Sequence, residues 1–121
     1  MDPRITLITL TGSLDLASER RLRADVSAAV GDASRALVID MRGVTFMDST
    51  VLAVLVHGDQ QFRRQGRRMA LVVRDEGAIQ RLFSVTGVRD ELPFFGSLDE
   101  AAAYVLDARR RRRKAEGGDM S

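Results

Sequence analysis

Short apolar runs alternate with helical patterns along this chain, and that alternation within 121 residues constrains the fold more than any single motif. Ile5–Leu10 alternates apolar residues with threonine, as a strand with one half-polar face does. Leu22, Val26, Ala29 and Val30 then recur at helical spacing, predicting a helix from Ser18 to Val30 that stops at Gly31. Ala36–Asp40 holds the continuous run Leu37-Val38-Ile39 expected of a strand covered on both faces. The helix predicted over Thr50–Gln65 is apolar nearly all round at its start and stops at Gly66. Met69–Val73 reads as a strand, and Ile79, Leu82 and Phe83 share one face of a short helix ended by Gly87. Leu92–Phe95 reads as a brief last strand. Ser97 and Glu100 form a capping box for a helix carrying Leu98, Ala101, Ala102 and Val105. The pattern is α/β, with a mainly parallel central sheet of about four strands and about four helices joined by right-handed crossovers.

The length is that of one domain with one core. Hydrophobic residues at 45% and charged residues at 30% are ordinary for a soluble globular protein. Cysteine is absent, which excludes disulfides, thiolate catalysis and cysteine-based metal centres. His57 is the single histidine; on the Thr50–Gln65 helix it reads as a surface or boundary residue. No apolar run approaches the ~20 residues of a membrane span, and Met1-Asp2-Pro3-Arg4 has no signal-peptide pattern, so a cytoplasmic setting is expected.

The net charge of +2 misrepresents the body of the protein. Arg109–Lys114 supplies six of the 19 basic residues, leaving 13 basic against 15 acidic in residues 1–108. The basicity belongs to a tail, 109–121, whose clustered cations and Gly117-Gly118 predict disorder. The tail has no aromatic residue to stack on bases, and neither nucleic acid nor a membrane is an expected partner.

Asp48-Ser49-Thr50 lies where a strand gives way to a helix. Main-chain N–H groups are free there, and the positive end of the helix dipole favours an anion. Asp48 or Ser49 can serve simply as the N-cap; equally, a serine hydroxyl at that point can carry a phosphate whose charge Asp48 would oppose. In parallel α/β sheets the carboxyl ends of the strands are where partners and ligands bind, and Ser49 falls on that edge. No phosphate-binding loop of the G-x-x-x-x-G-K-[S/T] or G-x-G-x-x-G type is present. Asp15, Asp40 and Asp48 could be drawn together as a magnesium cluster, but a strand end and a helix cap explain Asp40 and Asp48 without one. No metal and no cofactor are expected.

With these segments in view, the sequence resembles the STAS domain family, and within it the bacterial anti-sigma factor antagonists. Thr11-Gly12-Ser13-Leu14-Asp15 is similar to the family's strand-end turn. Leu37-Val38-Ile39-Asp40 followed by Val44-Thr45-Phe46-Met47-Asp48-Ser49-Thr50 is similar to its signature strand, loop and phosphoacceptor. Gly66–Val73 and Ile79–Val88 match the downstream strand and helix. The resemblance spans about Ile5 to Leu106 and implies a STAS domain over 1–108.

The resemblance implies a non-enzymatic switch. Such an antagonist sequesters an anti-sigma factor of the serine-kinase type and so frees a sigma factor; the kinase phosphorylates the serine matching Ser49, and a serine phosphatase resets it. Ser49 is then the expected acceptor, with Thr50 the alternative, and Asp15, Asp48, Ser49, Thr50 and Val51 the expected partner surface. The chain departs from the pattern in four places. Val51 stands where a glycine usually follows the triplet, and Ser13 where an acidic residue is common. The family's first strand is missing or reduced to Met1–Arg4, which leaves a sheet edge open to another chain. The Arg109–Lys114 run is additional. Two alternative functions remain open: a STAS accessory subunit of a lipid ABC transporter, and a nucleotide-binding STAS module. The sequence does not specify an oligomeric state.

Overall fold

The computed structural model describes residues 1–87 and 91–107. Four parallel strands lie in chain order, β1 (Ile5–Ser13), β2 (Ala36–Phe46), β3 (Met69–Val72) and β4 (Phe94–Phe95). Between them run α1 (Leu16–Gly31), α2 (Ser49–Arg64) and α3 (Ala78–Thr86). A fourth helix, α4, occupies 98–107. The predicted α/β architecture is present, and the predicted tail from Arg109 onward lies outside the described residues.

Strand order explains the layering. Each right-handed crossover steps in the same direction across the sheet, which keeps α1, α2 and α3 on one face. There Leu22, Val26, Leu55, Phe62 and Phe83 pack on Leu37, Ile39, Met69 and Leu71. α4, which leads to no further strand among the described residues, closes the opposite face, setting Ala101 and Val105 on Val38, Ala70 and Val72. β2 is therefore buried on both sides, as its unbroken apolar run predicts.

Several boundaries differ from the sequence expectation. β1 continues past Leu10 to Ser13, and β2 past Asp40 to Phe46, through the segment expected to be a loop. The two extensions stabilise each other: Thr11 pairs with Gly43, Gly12 with Val44 and Ser13 with Phe46. Gly43 permits that approach, since a Cβ there would stand 2.9 Å from Thr11 Cγ2. Asp40, read as a strand end, consequently lies within β2 and holds Arg42 at 2.9 Å. α1 begins at Leu16 rather than Ser18, because Asp15 caps it. β4 shrinks to two residues, the ladder leaving Leu92 and Pro93 outside, although Pro93 still accepts a main-chain bond from Leu71 at 3.0 Å.

Candidate functional site

Parallel strands deliver every connecting loop that follows a strand to one edge of the sheet, and two of these loops are tied together. The Leu14 N–H donates to the Phe46 carbonyl at 2.9 Å. Asp15 follows Leu14 directly and Asp48 follows Phe46 by two residues, so the N-caps of α1 and α2 flank the same edge. This strand-end bond sets Asp15 on the same side of the sheet as the Asp48-Ser49 loop.

Asp48, not Ser49, caps α2. Its Oδ1 accepts from the main-chain N–H of Thr50 at 3.0 Å and of Val51 at 3.2 Å. Those bonds, the Val51 N–H foremost, hold the Asp48 carboxyl below the usual carboxylate range. Asp15 behaves alike at α1, its Oδ1 accepting from the Ser18 N–H at 2.9 Å and the Ser18 hydroxyl at 3.0 Å. Its acidity is raised in the same way, chiefly by the Ser18 main-chain bond. Two ionised carboxylates therefore stand at this edge at neutral pH.

Ser49 is the first residue of α2 and is exposed, with Thr50 exposed beside it. Two of the N–H groups that an anion at this helix terminus would use, those of Thr50 and Val51, are already engaged by Asp48. A phosphate on Ser49 would therefore have to displace that carboxylate or sit against it, the two charges repelling. Asp15, Asp48, Ser49 and Thr50 are exposed on this edge, and the exposed stripe continues along α2 through Ala53 and His57.

Val51 does not belong to that surface. It is 1% exposed and packs in the core with Leu52 and Leu55. The side chain at the position where the family resemblance implies glycine points inward and supports the start of α2 from beneath, so Val51 lies outside the exposed surface expected to contact a partner.

Two residues not singled out from sequence do belong. Phe46 is 58% exposed and Leu16 is 63% exposed, immediately before Met47-Asp48 and immediately after Asp15. Phe46 alternates with the buried Met47, and Leu16 occupies the first position of α1, ahead of the helix's buried face. Exposed apolar area bordered by carboxylates is the kind of surface that protein partners commonly cover. The sequence signal for Phe46 was its place: an aromatic residue two positions before the capping Asp48.

Asp40 is committed to Arg42, and the Arg42 guanidinium keeps the Asp40 carboxyl below its ordinary range. Among the described residues no group of three His, Asp or Glu side chains is placed to hold a metal ion. His57 is exposed in a shallow cleft with Arg23, Ser27 and Gln61. A separate pocket of about 230 Å³ opens between the end of β2 and the start of α3, with Arg42, Thr45, Arg74 and Gln80 in its walls.

Comparison with known proteins follows this geometry. The model of the STAS domain matches residues 1–101. Anti-sigma-F factor antagonist RsfA of Mycobacterium tuberculosis is 33% identical over 97 residues, covering 78% of this chain and 75% of the relative. The crystal structure of an anti-sigma factor antagonist from Mycobacterium paratuberculosis superposes with a TM-score of 0.72 at 26% identity, covering 88% of this chain and 89% of that one. A putative anti-sigma factor antagonist from Thermotoga maritima has the same fold, with a TM-score of 0.75 at 18% identity over 88% of this chain and 91% of that one. The capped serine, the parallel sheet and these matches lead to one assignment: the chain belongs to the STAS domain family, and its relative at 33% identity is an anti-sigma factor antagonist.

Proposed function

We propose that this chain is an anti-sigma factor antagonist that works by binding rather than by catalysis. It docks an anti-sigma factor of the serine-kinase type through the edge bearing Asp15, Leu16, Phe46, Asp48, Ser49 and Thr50, and thereby frees a sigma factor in the cytoplasm. Phosphorylation of Ser49 by that partner ends the complex, and a serine phosphatase restores it.

One observation carries the reading: Ser49 is exposed at the start of α2 while the Asp48 carboxylate occupies the adjoining N–H groups. A phosphate adds about −1.5 to −2 charge at neutral pH, beside a carboxylate already ionised and next to the exposed apolar side chains of Phe46 and Leu16. The repulsion and the lost apolar contact fall on the complex, because Ser49 itself buries nothing in the core. The fold is left intact.

The test is a pull-down of the full chain from its native extract, with identification of partners by mass spectrometry and mapping of phosphate on the bound and released chain. Recovery of a kinase-type anti-sigma factor, with phosphate on Ser49 only in the released fraction, is the expected result. Recovery of a transporter ATPase instead, or modification confined to Thr50, overturns the respective part of the reading. Ser49→Asp is expected to lose the partner and Ser49→Ala to keep it while escaping phosphorylation.

A further inference from the structure

β2 and β3 diverge at the carboxyl edge of the sheet. Their pairing ends at Asp40 and Val72, yet β2 runs on beside β1 to Phe46 while the chain leaves β3 toward α3. The divergence opens the pocket of about 230 Å³ between β2 and the start of α3. Met41, Val44 and Ile79 give it a buried apolar lining. Arg42, Arg74, Glu76 and Gln80 stand in the same walls.

Donors around this pocket have bonds left to make. Arg74 is exposed and has no ion-pair partner among the described residues. Arg42 gives its Nε and Nη2 to Asp40, which leaves Nη1 for another acceptor. α3 begins at the pocket with Gly77 as its N-cap, at a φ of 127° and with no side chain to accept from the first main-chain N–H groups. Asp15 and Asp48 fill that role at α1 and α2. No acidic residue lies in the first turn of α3 either, so its terminal donors and the positive end of its dipole meet no acceptor within the helix.

Acceptors are left over as well. Gln80 holds the third position of α3, from which a glutamine oxygen can reach back to the N–H of the N-cap. Its Oε1 is instead buried with no hydrogen-bond partner, a costly state unless a donor supplies the bond. Glu76 is exposed and has no ion-pair partner among the described residues. The walls are therefore close to neutral, Asp40 offsetting Arg42 and Glu76 offsetting Arg74, with spare groups of both kinds.

We propose that this pocket binds a zwitterionic α-amino acid with a small apolar side chain. The ligand's carboxylate accepts from Arg74, from Arg42 Nη1 and from the N–H groups that open α3. Its ammonium donates to Gln80 Oε1 and to Glu76, and its side chain lies on Met41, Val44 and Ile79. Only a ligand of both signs uses every group. A phosphate would set its charge against Glu76, and a simple cation would meet two guanidinium groups. None of the residues of the proposed Ser49 surface lines the pocket, so the site is independent of the switch proposed above.

Nuclear magnetic resonance titration of the full chain with L-alanine, L-valine and L-leucine tests this through its main-chain amide signals. Saturable shifts at Gly77, Ile79 and Gln80 are expected from at least one of the three. Acetate and methylammonium, each carrying one half of the zwitterion, and inorganic phosphate are expected to bind about tenfold more weakly or worse. Arg74→Gln and Gln80→Leu are each expected to weaken amino-acid binding about fivefold or more while the melting transition is kept. No shift from any of the three amino acids up to about 10 mM overturns the inference. So does acetate or phosphate binding as tightly as the amino acid, which would reduce the site to an anion seat at a helix terminus. Binding indifferent to both variants overturns it too. Should Gln80→Leu disturb the fold, Arg74→Gln, at an exposed position, decides alone.

Discussion

Arg67 closes the carboxyl end of α1 by donating from its guanidinium to the Ala29 carbonyl at 3.0 Å, across 38 residues of sequence. The same group reaches the Val30 carbonyl at 2.8 Å and the Asp32 carbonyl at 2.7 Å, while lying 4.3 Å over the Phe62 ring. Helix ends leave carbonyls without intrahelical partners, and here a planar fork of donors from the loop after α2 meets them. Arg67→Ala is expected to destabilise the fold by about 2–3 kcal/mol, with Arg67→Lys recovering only part because an ammonium lacks the fork. Urea unfolding of the three proteins measures it.

Gly58 offers a prediction whose sign opposes helix propensity. Glycine to alanine within an exposed helix normally stabilises by about 1 kcal/mol. Here a Cβ would come within 2.7 Å of Val26 Cγ1, and Val26 is a β-branched side chain held in the core between α1 and α2. Gly58→Ala is therefore expected to destabilise by about 1–2 kcal/mol. A thermal midpoint at or above that of the wild type would show that the two helices can separate slightly without loss.

The exposed apolar pair at the proposed docking edge separates binding from folding. Phe46→Ala and Leu16→Ala remove side chains that the folded monomer leaves largely in water, so each should move stability by about 0.5 kcal/mol or less. Affinity for the anti-sigma partner should fall by about tenfold or more for Phe46→Ala, as expected when an aromatic anchor is truncated. Calorimetric titration beside a melting curve distinguishes the two effects. Unchanged affinity would place the docking surface elsewhere.

Two buried carboxylates respond to pH with opposite signs. The Arg42 pair lowers the Asp40 pKa, so Asp40 contributes stability above the unfolded value of about 3.9, lost as pH falls through its folded pKa. Burial raises the Asp59 pKa against the opposing pull of Arg63. Its stabilising contribution is full below about 3.9 and is lost as pH rises through the folded pKa. Asp40→Asn should cost about 1 kcal/mol at pH 7, with the gap to wild type closing only below about pH 4. Asp59→Asn should be near neutral at pH 7, with the wild type gaining on it as pH falls toward about 4. Urea midpoints at several pH values give both slopes.

Truncation after Ala108 is expected to leave both the melting transition and partner affinity at moderate salt unchanged. The removed segment holds six clustered cations and only Ala115 and Met120 as apolar residues, too little to bury against a core. Affinity lost on truncation, together with steep salt dependence in the full chain, would identify the run as an electrostatic docking arm.

The alternation of apolar periods determined the fold class, because period 2 and period 3.6 are local properties of a sequence and the continuous run at Leu37–Ile39 already implies burial on both faces. Local chemistry likewise placed a cap and an exposed hydroxyl at Asp48-Ser49, since capping involves groups two or three residues apart. The tertiary structure decided what depends on partners far along the chain. β2 runs on to Phe46 because β1 offers Thr11–Ser13 to pair with it, a pairing that the polar Arg42-Gly43 step conceals. Val51 turns inward because α2 meets the sheet at one rotation and not another, and α1 ends on Arg67 because packing brings residue 67 beneath it. A single copy of a sequence records which groups need a partner; only the packed chain decides which partner, 38 residues away, arrives.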